Sequence, residues 1–272
     1  MKNKFKKIAL NITFLLIPAW VFAATHEDLK SAVIEKNAVT VERLIRDGMD
    51  PNVSYENGNT PLHLAVFEDA VAVFNVLIKM PRLKTDQKNA AGETPLMIAA
   101  LRGNAAMVDS LLARGAQINK TGWTPLHYAA STGQNALVAK LLEKSAYIDA
   151  ESPNKTTPLM MAARAGHAST VTLLLDQGAD DSLKNEQNLT AADLAKKYDH
   201  PPVLAVLQVK KAKQPLPTKP QTPASGSKSA KTPQAEWSPT SAVSQSRAEP
   251  VPSIPERRNA NTVNTADKPW LR

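Results

Sequence analysis

The chain has 272 residues, a net charge of +8 and no cysteine, which excludes disulfides, thiolate metal sites and a cysteine-linked lipid anchor. The basic excess belongs to the ends: four lysines and no acid up to Ala23, 18 basic against 21 acidic residues from Ala24 to Leu207, and 11 against four from Gln208 on. The mildly acidic body between them carries no nucleic-acid footprint.

At the start, Lys2, Lys4, Lys6 and Lys7 precede a mainly apolar stretch from Ile8 to Ile17. Pro18 breaks it, and Val21-Phe22-Ala23 offers a small-residue cleavage site before Ala24. Residues 1–23 read as a secretory signal peptide. The run from Ile8 to Phe22 is interrupted by Asn11, Thr13 and Pro18 and falls short of the ~18–20 apolar residues of a span, so cleavage is expected over anchoring. Export without cysteine fits a bacterial periplasmic protein better than a eukaryotic secreted one.

The first predicted helix follows Thr25-His26-Glu27-Asp28 and carries Leu29, Ala32, Val33 and Ile34; a second, Val39 to Ile45, ends at Gly48. The chain then repeats itself. Gly58 to Ala65 reads GNTPLHLA, Gly92 to Ala99 GETPLMIA, Gly122 to Ala130 GWTPLHYAA, Lys155 to Ala162 KTTPLMMA and Asn188 to Ala195 NLTAADLA. The shared threonines are Thr60, Thr94, Thr124, Thr157 and Thr190, at spacings of 34, 30, 33 and 33. Such a period marks a repeat array. In each unit the threonine caps a helix, and in four of the five the proline at the next position costs no hydrogen bond. Gly103, Gly133 or Gly166 ends that helix, and a second amphipathic helix follows, as in Met107 to Leu112, Leu137 to Leu142 and Thr170 to Leu175.

Several units depart from the pattern. Glu68-Asp69-Ala70 is a poor break, and the joint Met80 to Asp86 has lost its Gly-Ala-Asp. The turn at Asn119-Lys120-Thr121-Gly122 is three residues short. The last unit, Leu189 to Leu207, has a short second helix and reads as a cap. From Gln208 to Arg272, proline, serine, threonine and lysine replace the apolar periodicity, and such a segment cannot bury enough surface to offset its chain entropy. It is expected to be disordered: a spacer, or a docking element using Trp237 and Trp270 or its charge on an anionic envelope surface.

The TPLH variants, the Gly-containing break, the Leu-Leu helix and the Gly-Ala-Asp turn resemble the ankyrin repeat over Thr25 to about Leu207. The resemblance implies an all-α solenoid with short β-hairpin turns, of about six repeats including atypical caps, its inner helices and hairpin fingers lining a concave groove. The expected domains are residues 1–23, 24–207 and 208–272.

Catalytic chemistry finds little support. There is no phosphate loop, HExxH or GxSxG. His63 and His127 sit in TPLH, where a hydrogen bond to the next repeat is their expected work. His167 follows a helix-break glycine, and His26 and His200 lie in the caps with no partner in view. Asp180-Asp181 reads as a solvated turn, not a metal site. No enzyme activity, cofactor or metal is therefore expected. By position in the family, a protein partner would meet Phe67, Glu68, Leu101, Arg102, Trp123, Ser131 and Arg164. Phe67, Leu101 and Trp123 are large and apolar at positions expected to be exposed, the composition of an interface hot spot. For Trp123 a second reading stands: it folds down over the shortened turn and covers core. The resulting function is a non-catalytic periplasmic protein-binding module. The alternatives are an envelope-attached scaffold whose tail is the working part, and an exported, host-directed effector.

Overall fold

A computed structural model describes residues 24–213, which form twelve helices and, among the described residues, no strand. The expected signal peptide and the tail beyond Lys213 lie outside these residues. The helices come in six pairs: α1 His26–Ile34 with α2 Ala38–Arg46, α3 Pro61–Phe67 with α4 Val71–Leu77, and α5 Pro95–Arg102 with α6 Ala105–Ala113. Then come α7 Pro125–Ser131 with α8 Asn135–Glu143, α9 Pro158–Arg164 with α10 Ala168–Asp176, and α11 Ala191–Lys197 with α12 Pro201–Lys213. The first helices pack side by side in chain order, and each carries the second helix of its own pair.

The threonines do what their position predicts. The hydroxyls of Thr25, Thr60, Thr94, Thr157 and Thr190 each accept the N–H three residues on, and proline occupies the first turn of α3, α5, α7 and α9. One leucine of each first helix, Leu62, Leu96, Leu126 or Leu159, is sealed in the core. The paired alanines Ala99-Ala100, Ala129-Ala130 and Ala162-Ala163 are wholly buried, and their size lets the helix backbones come close. Second helices contribute Met107, Val108 and Leu111, then Leu137, Val138 and Leu141, then Val171 and Leu174.

The helix break needs a left-handed residue, nine positions after each threonine from Thr60 on and eleven after Thr25, where Lys36 takes φ 59°. Gly133 supplies it at φ 72°, and a Cβ there would lie 2.8 Å from His167 Nδ1, so glycine is required for space as well. The break that looked poor in sequence keeps the same backbone. Asp69 takes φ 50°, a conformation aspartate tolerates better than most residues, and its carboxylate accepts a bond from Asn104 Nδ2 at 2.8 Å.

The fingers are tight turns closed by a pair of main-chain bonds, too short for a strand ladder: Tyr55 N–H to Asn59 O at 2.9 Å with Gly58 N–H back to Tyr55 O at 2.8 Å, and likewise Asn89 to Glu93 at 2.9 Å, Ser152 to Thr156 at 3.0 Å and Asn185 to Leu189 at 3.0 Å, each with its return bond. Neighbouring fingers are tied by Ala90 N–H to Asn57 O and by Glu186 N–H to Asn154 O. An Asn or Asp at the root of each finger passes a further bond to the next unit. Asn52 accepts from Lys84 N–H, Asp86 from Gln117 N–H, Asn119 from Tyr147 N–H, and Asp149 from Asp180 N–H.

At the shortened finger no such closing bond forms among the described residues, and Trp123 fills the place. Its ring stands edge-on to His127, centroids 5.2 Å apart, and the residue is only 8% exposed. The expectation of an exposed Trp123 is thus corrected: three missing residues leave a gap over a buried histidine, and the indole closes it. A second correction concerns the C-terminal cap. α12 runs six residues past Leu207, to Lys213. The composition changes at Gln208, but the first helix-breaking proline of the tail is Pro215, and Gln208 to Lys213 are otherwise tolerant of helix apart from Val209.

Removing the indole should open the array where its finger ladder is interrupted. Trp123→Ala is expected to cost about 3 kcal/mol in urea unfolding, in the range for a buried aromatic truncation. A surface residue would cost less than about 0.5 kcal/mol, and a loss that small would return Trp123 to the exposed set.

Candidate functional site

The first helices end in a row. Counting seven and eight residues from each capping threonine gives Phe67 and Glu68, Leu101 and Arg102, Ser131 and Thr132, Arg164 and Ala165, and Lys197 and Tyr198. The structure couples members of this row across repeats. The Arg102 guanidinium lies over the Phe67 ring, 5.5 Å from its centroid, joining the ends of α5 and α3. The Arg164 guanidinium lies over the Tyr198 ring at 5.2 Å, joining α9 to α11. Lys197 Nζ approaches the same tyrosine ring at 5.8 Å.

Five of the seven positions expected to meet a partner reach this surface. Arg102 is exposed; Phe67, Glu68, Leu101 and Arg164 are half-buried, with Phe67 and Leu101 leaning on the core. Trp123 and Ser131 do not. Ser131 is buried because its hydroxyl donates to Tyr128 O at 2.8 Å, and its own carbonyl lies 3.1 Å from His167 Nε2. Of the finger positions, Glu56, Ala90 and Ala91 are exposed, whereas Asn59 and Thr156 are buried. Tyr198, 41% exposed, and Lys197 were missed in sequence because the last unit was read as a cap; the register from Thr190 points to both.

The histidines are structural. His63 and His127 are fully buried. Nε2 faces a carbonyl of the next repeat, Glu93 O at 3.1 Å and Thr156 O at 2.8 Å, so it carries the proton. Nδ1 then accepts from the N–H of Thr60 or Thr124 at 3.2 Å. Burial pushes both rings down from 6.5 to about 4. His200, without a visible partner in sequence, lies with Nε2 2.9 Å from Arg164 O, the same service that His167 performs one repeat earlier.

Asp180 is a turn residue: its carboxylate accepts the Ser182 N–H at 2.8 Å and the Ser182 hydroxyl at 2.6 Å. Among the described residues no group of three or more His, Asp or Glu gathers to hold a metal ion, and no helix is long and apolar enough to cross a membrane. An open cleft of about 500 Å³ lies at the irregular joint between the first two units, floored by Ile45, Met49, Pro51, Met80 and Pro81. Glu42, Arg46, Asp50 and Arg82 also line it, with no histidine, serine or threonine among the lining residues.

Three family models match the chain: one described as ankyrin repeats in three copies over residues 73–152, one as ankyrin repeats in many copies over 141–195, and one as a single ankyrin repeat over 57–86. Among curated proteins, the neurogenic locus notch homolog protein 1 of Xenopus tropicalis is 38% identical over 82 residues, and the Notch protein of Drosophila melanogaster 36% over 81. Each match takes 30% of this chain and only 3% of the relative's length. Among solved structures, the ankyrin repeat domain of Bcl-3, titled a unique member of the IkappaB family, aligns at 29% identity and a TM-score of 0.57. That alignment covers 66% of this chain and 81% of the other. An ankyrin repeat domain from Acinetobacter baumannii aligns at 20% identity and 0.59, covering 69% and 99%, and bears on the fold alone.

The buried histidines set a pH response. In the fold both rings stay neutral down to about pH 4, whereas in the unfolded chain they take a proton near 6.5. Between those values the unfolded state binds more protons, so stability is full above about pH 6.5 and falls as the pH drops toward 4. The loss should reach about 3 kcal/mol per histidine at the low end. Urea unfolding across this window should show the slope, and His63→Met with His127→Met, which copy Met97 and Met160, should flatten it. An equal slope in the double variant would assign the response to the carboxylates.

Proposed function

The chain belongs to the ankyrin-repeat family, and from that footing we propose that it is a non-catalytic binding protein of the bacterial periplasm that holds a partner protein in the concave groove of its stack. Ankyrin repeats are a generic protein–protein interaction fold. The periplasmic part of the reading rests on the leader pattern of residues 1–23 and the absence of cysteine. The groove part rests on one observation: Phe67, Arg102, Arg164 and Tyr198 converge in two stacked pairs on helix ends that the core leaves accessible. Rigid aromatic and arginine side chains are the anchors that protein interfaces favour.

The scaffold reading, in which the tail does the binding, has the tail's +7 charge in its favour. Crosslinking mass spectrometry in intact cells separates the two. Crosslinks should map to the Phe67–Tyr198 row, and Phe67→Ala with Tyr198→Ala should weaken capture of the crosslinked partner by about tenfold or more. Deletion of residues 214–272, which leaves α12 whole, should change it little. Capture lost on that deletion but kept in the double variant would hand the function to the tail. Osmotic-shock fractionation with N-terminal sequencing should find a mature chain starting near Ala24 in the periplasm; a chain in the culture medium would favour export instead.

A further inference from the structure

We propose that the ligand of this groove is an extended acidic segment of the partner, with carboxylates about six residues apart that engage Arg102 and Arg164 together. The inference rests on the groove reading above and adds the chemistry of what fills it. Three of the five first-helix ends between α3 and α11 carry a cation in the row: Arg102, Arg164 and Lys197. Each rests against an aromatic ring, and none has an ion pair with a carboxylate among the described residues. Among the described residues the buried Arg164 Nε meets no hydrogen-bond partner, so the ring contact and not a hydrogen bond is what holds this side chain in place.

A plainer account is that cations at helix C-termini complement the helix dipole. That accounts for the sign of the charge but not for the rings. A dipole partner does not need a ring supplied by the neighbouring repeat, as Phe67 supplies it to Arg102 and Tyr198 to Arg164. Placement over the ring positions each guanidinium without using its terminal N–H donors, which remain for a planar anion. The ordering entropy of two long side chains is thereby met before a ligand arrives.

The spacing follows from the stack. α5 and α9 are separated by α7, and packed helices stand 8–10 Å apart, so the two arginines are roughly 20 Å apart. An extended chain rises about 3.3 Å per residue, which makes about six residues between the carboxylates. Ser131 and Thr132, in the intervening repeat, offer no charge to oppose the crossing segment. One exposed acid of this side, Asp199, stands in the break after α11, two residues from Lys197 and past Arg164 at the α11 end of the row; the others lie off the path between the two arginines. Glu68 stands beyond Arg102 at the α3 end of the row, Asp69 is engaged by Asn104, and Glu93 by Tyr128 and Asn89. Glu151 and Glu186 are on fingers at the opposite ends of their helices. A seven-residue helix puts about 10 Å between those ends, which is about one Debye length in salt.

The test uses the full mature chain and a fluorescein-labelled peptide of about twelve Ser and Thr residues with two Asp placed about six apart, read by fluorescence anisotropy. Arg102→Gln and Arg164→Gln should each weaken binding by about tenfold, the loss expected for a charge-assisted hydrogen bond. Arg→Lys at either position should recover only part of it, and moving the two Asp to adjacent positions should cost as much as one arginine. Thermal unfolding of each variant shows whether the change is confined to binding, since a helix-dipole role would lower the melting point and leave relative affinities for the two peptides unchanged. Equal binding by wild type and the double Gln variant would place the peptide on the basic tail and overturn the proposal. In the cell, crosslinks confined to the Phe67–Tyr198 row with capture indifferent to both Gln variants would sink the acidic ligand and leave the groove. Crosslinks only to the tail would sink the groove itself.

Discussion

A helix of seven residues does not hold its shape alone in water, and four of the six first helices here are that short. Every unit therefore borrows its order from its neighbours. The apolar face of α3 is covered by α1 and α5, that of α7 by α5 and α9, and the alanines between them set how near the backbones come. The array is one continuous core cut into units, so a fault at one joint is felt by the units on either side.

Directional bonds fix the register that burial alone would leave loose. His63 and His127 reach the carbonyl of the next finger, and His167 and His200 reach back to the last turn of the preceding first helix. At the root of the fingers, Asn52, Asp86, Asn119 and Asp149 accept an N–H from the following unit. The TPLH bond is made in alternate units only. Met97 and Met160 stand in the histidine's place and fill volume without a bond across the joint. The array thus tolerates loss of one class of tie where another remains, and for the same reason only two of its TPLH-type joints hold a buried ring that acid can protonate.

The periodicity made most of this visible in advance. Threonine caps, glycine breaks and paired alanines recur at fixed offsets, and each offset has one backbone geometry that suits it. Trp123 misled because position in a family describes an average finger, and this finger lacks three residues; what a side chain covers depends on what is missing beside it. Ser131 misled for a related reason, since a small hydroxyl at a helix end satisfies itself on its own backbone and sinks. Asp69 shows the reverse case: the sequence departs from glycine, yet the backbone requirement is met. Tyr198 and Lys197 were within reach of the same offset count and were passed over only because the last unit was taken as an end.

The surface that remains is unequal along its length. At the α3 end the row presents Phe67 and Glu68; toward α11 it presents Arg164, Lys197 and Tyr198. The central repeat, with Ser131 drawn inward and Trp123 folded over the missing finger, contributes neither charge nor protrusion. In the proposed reading the neutral middle makes the two arginines separate anchors, and a ligand that satisfies one without reaching the other would gain only part of the binding, so that length along the chain would become a criterion of recognition alongside charge.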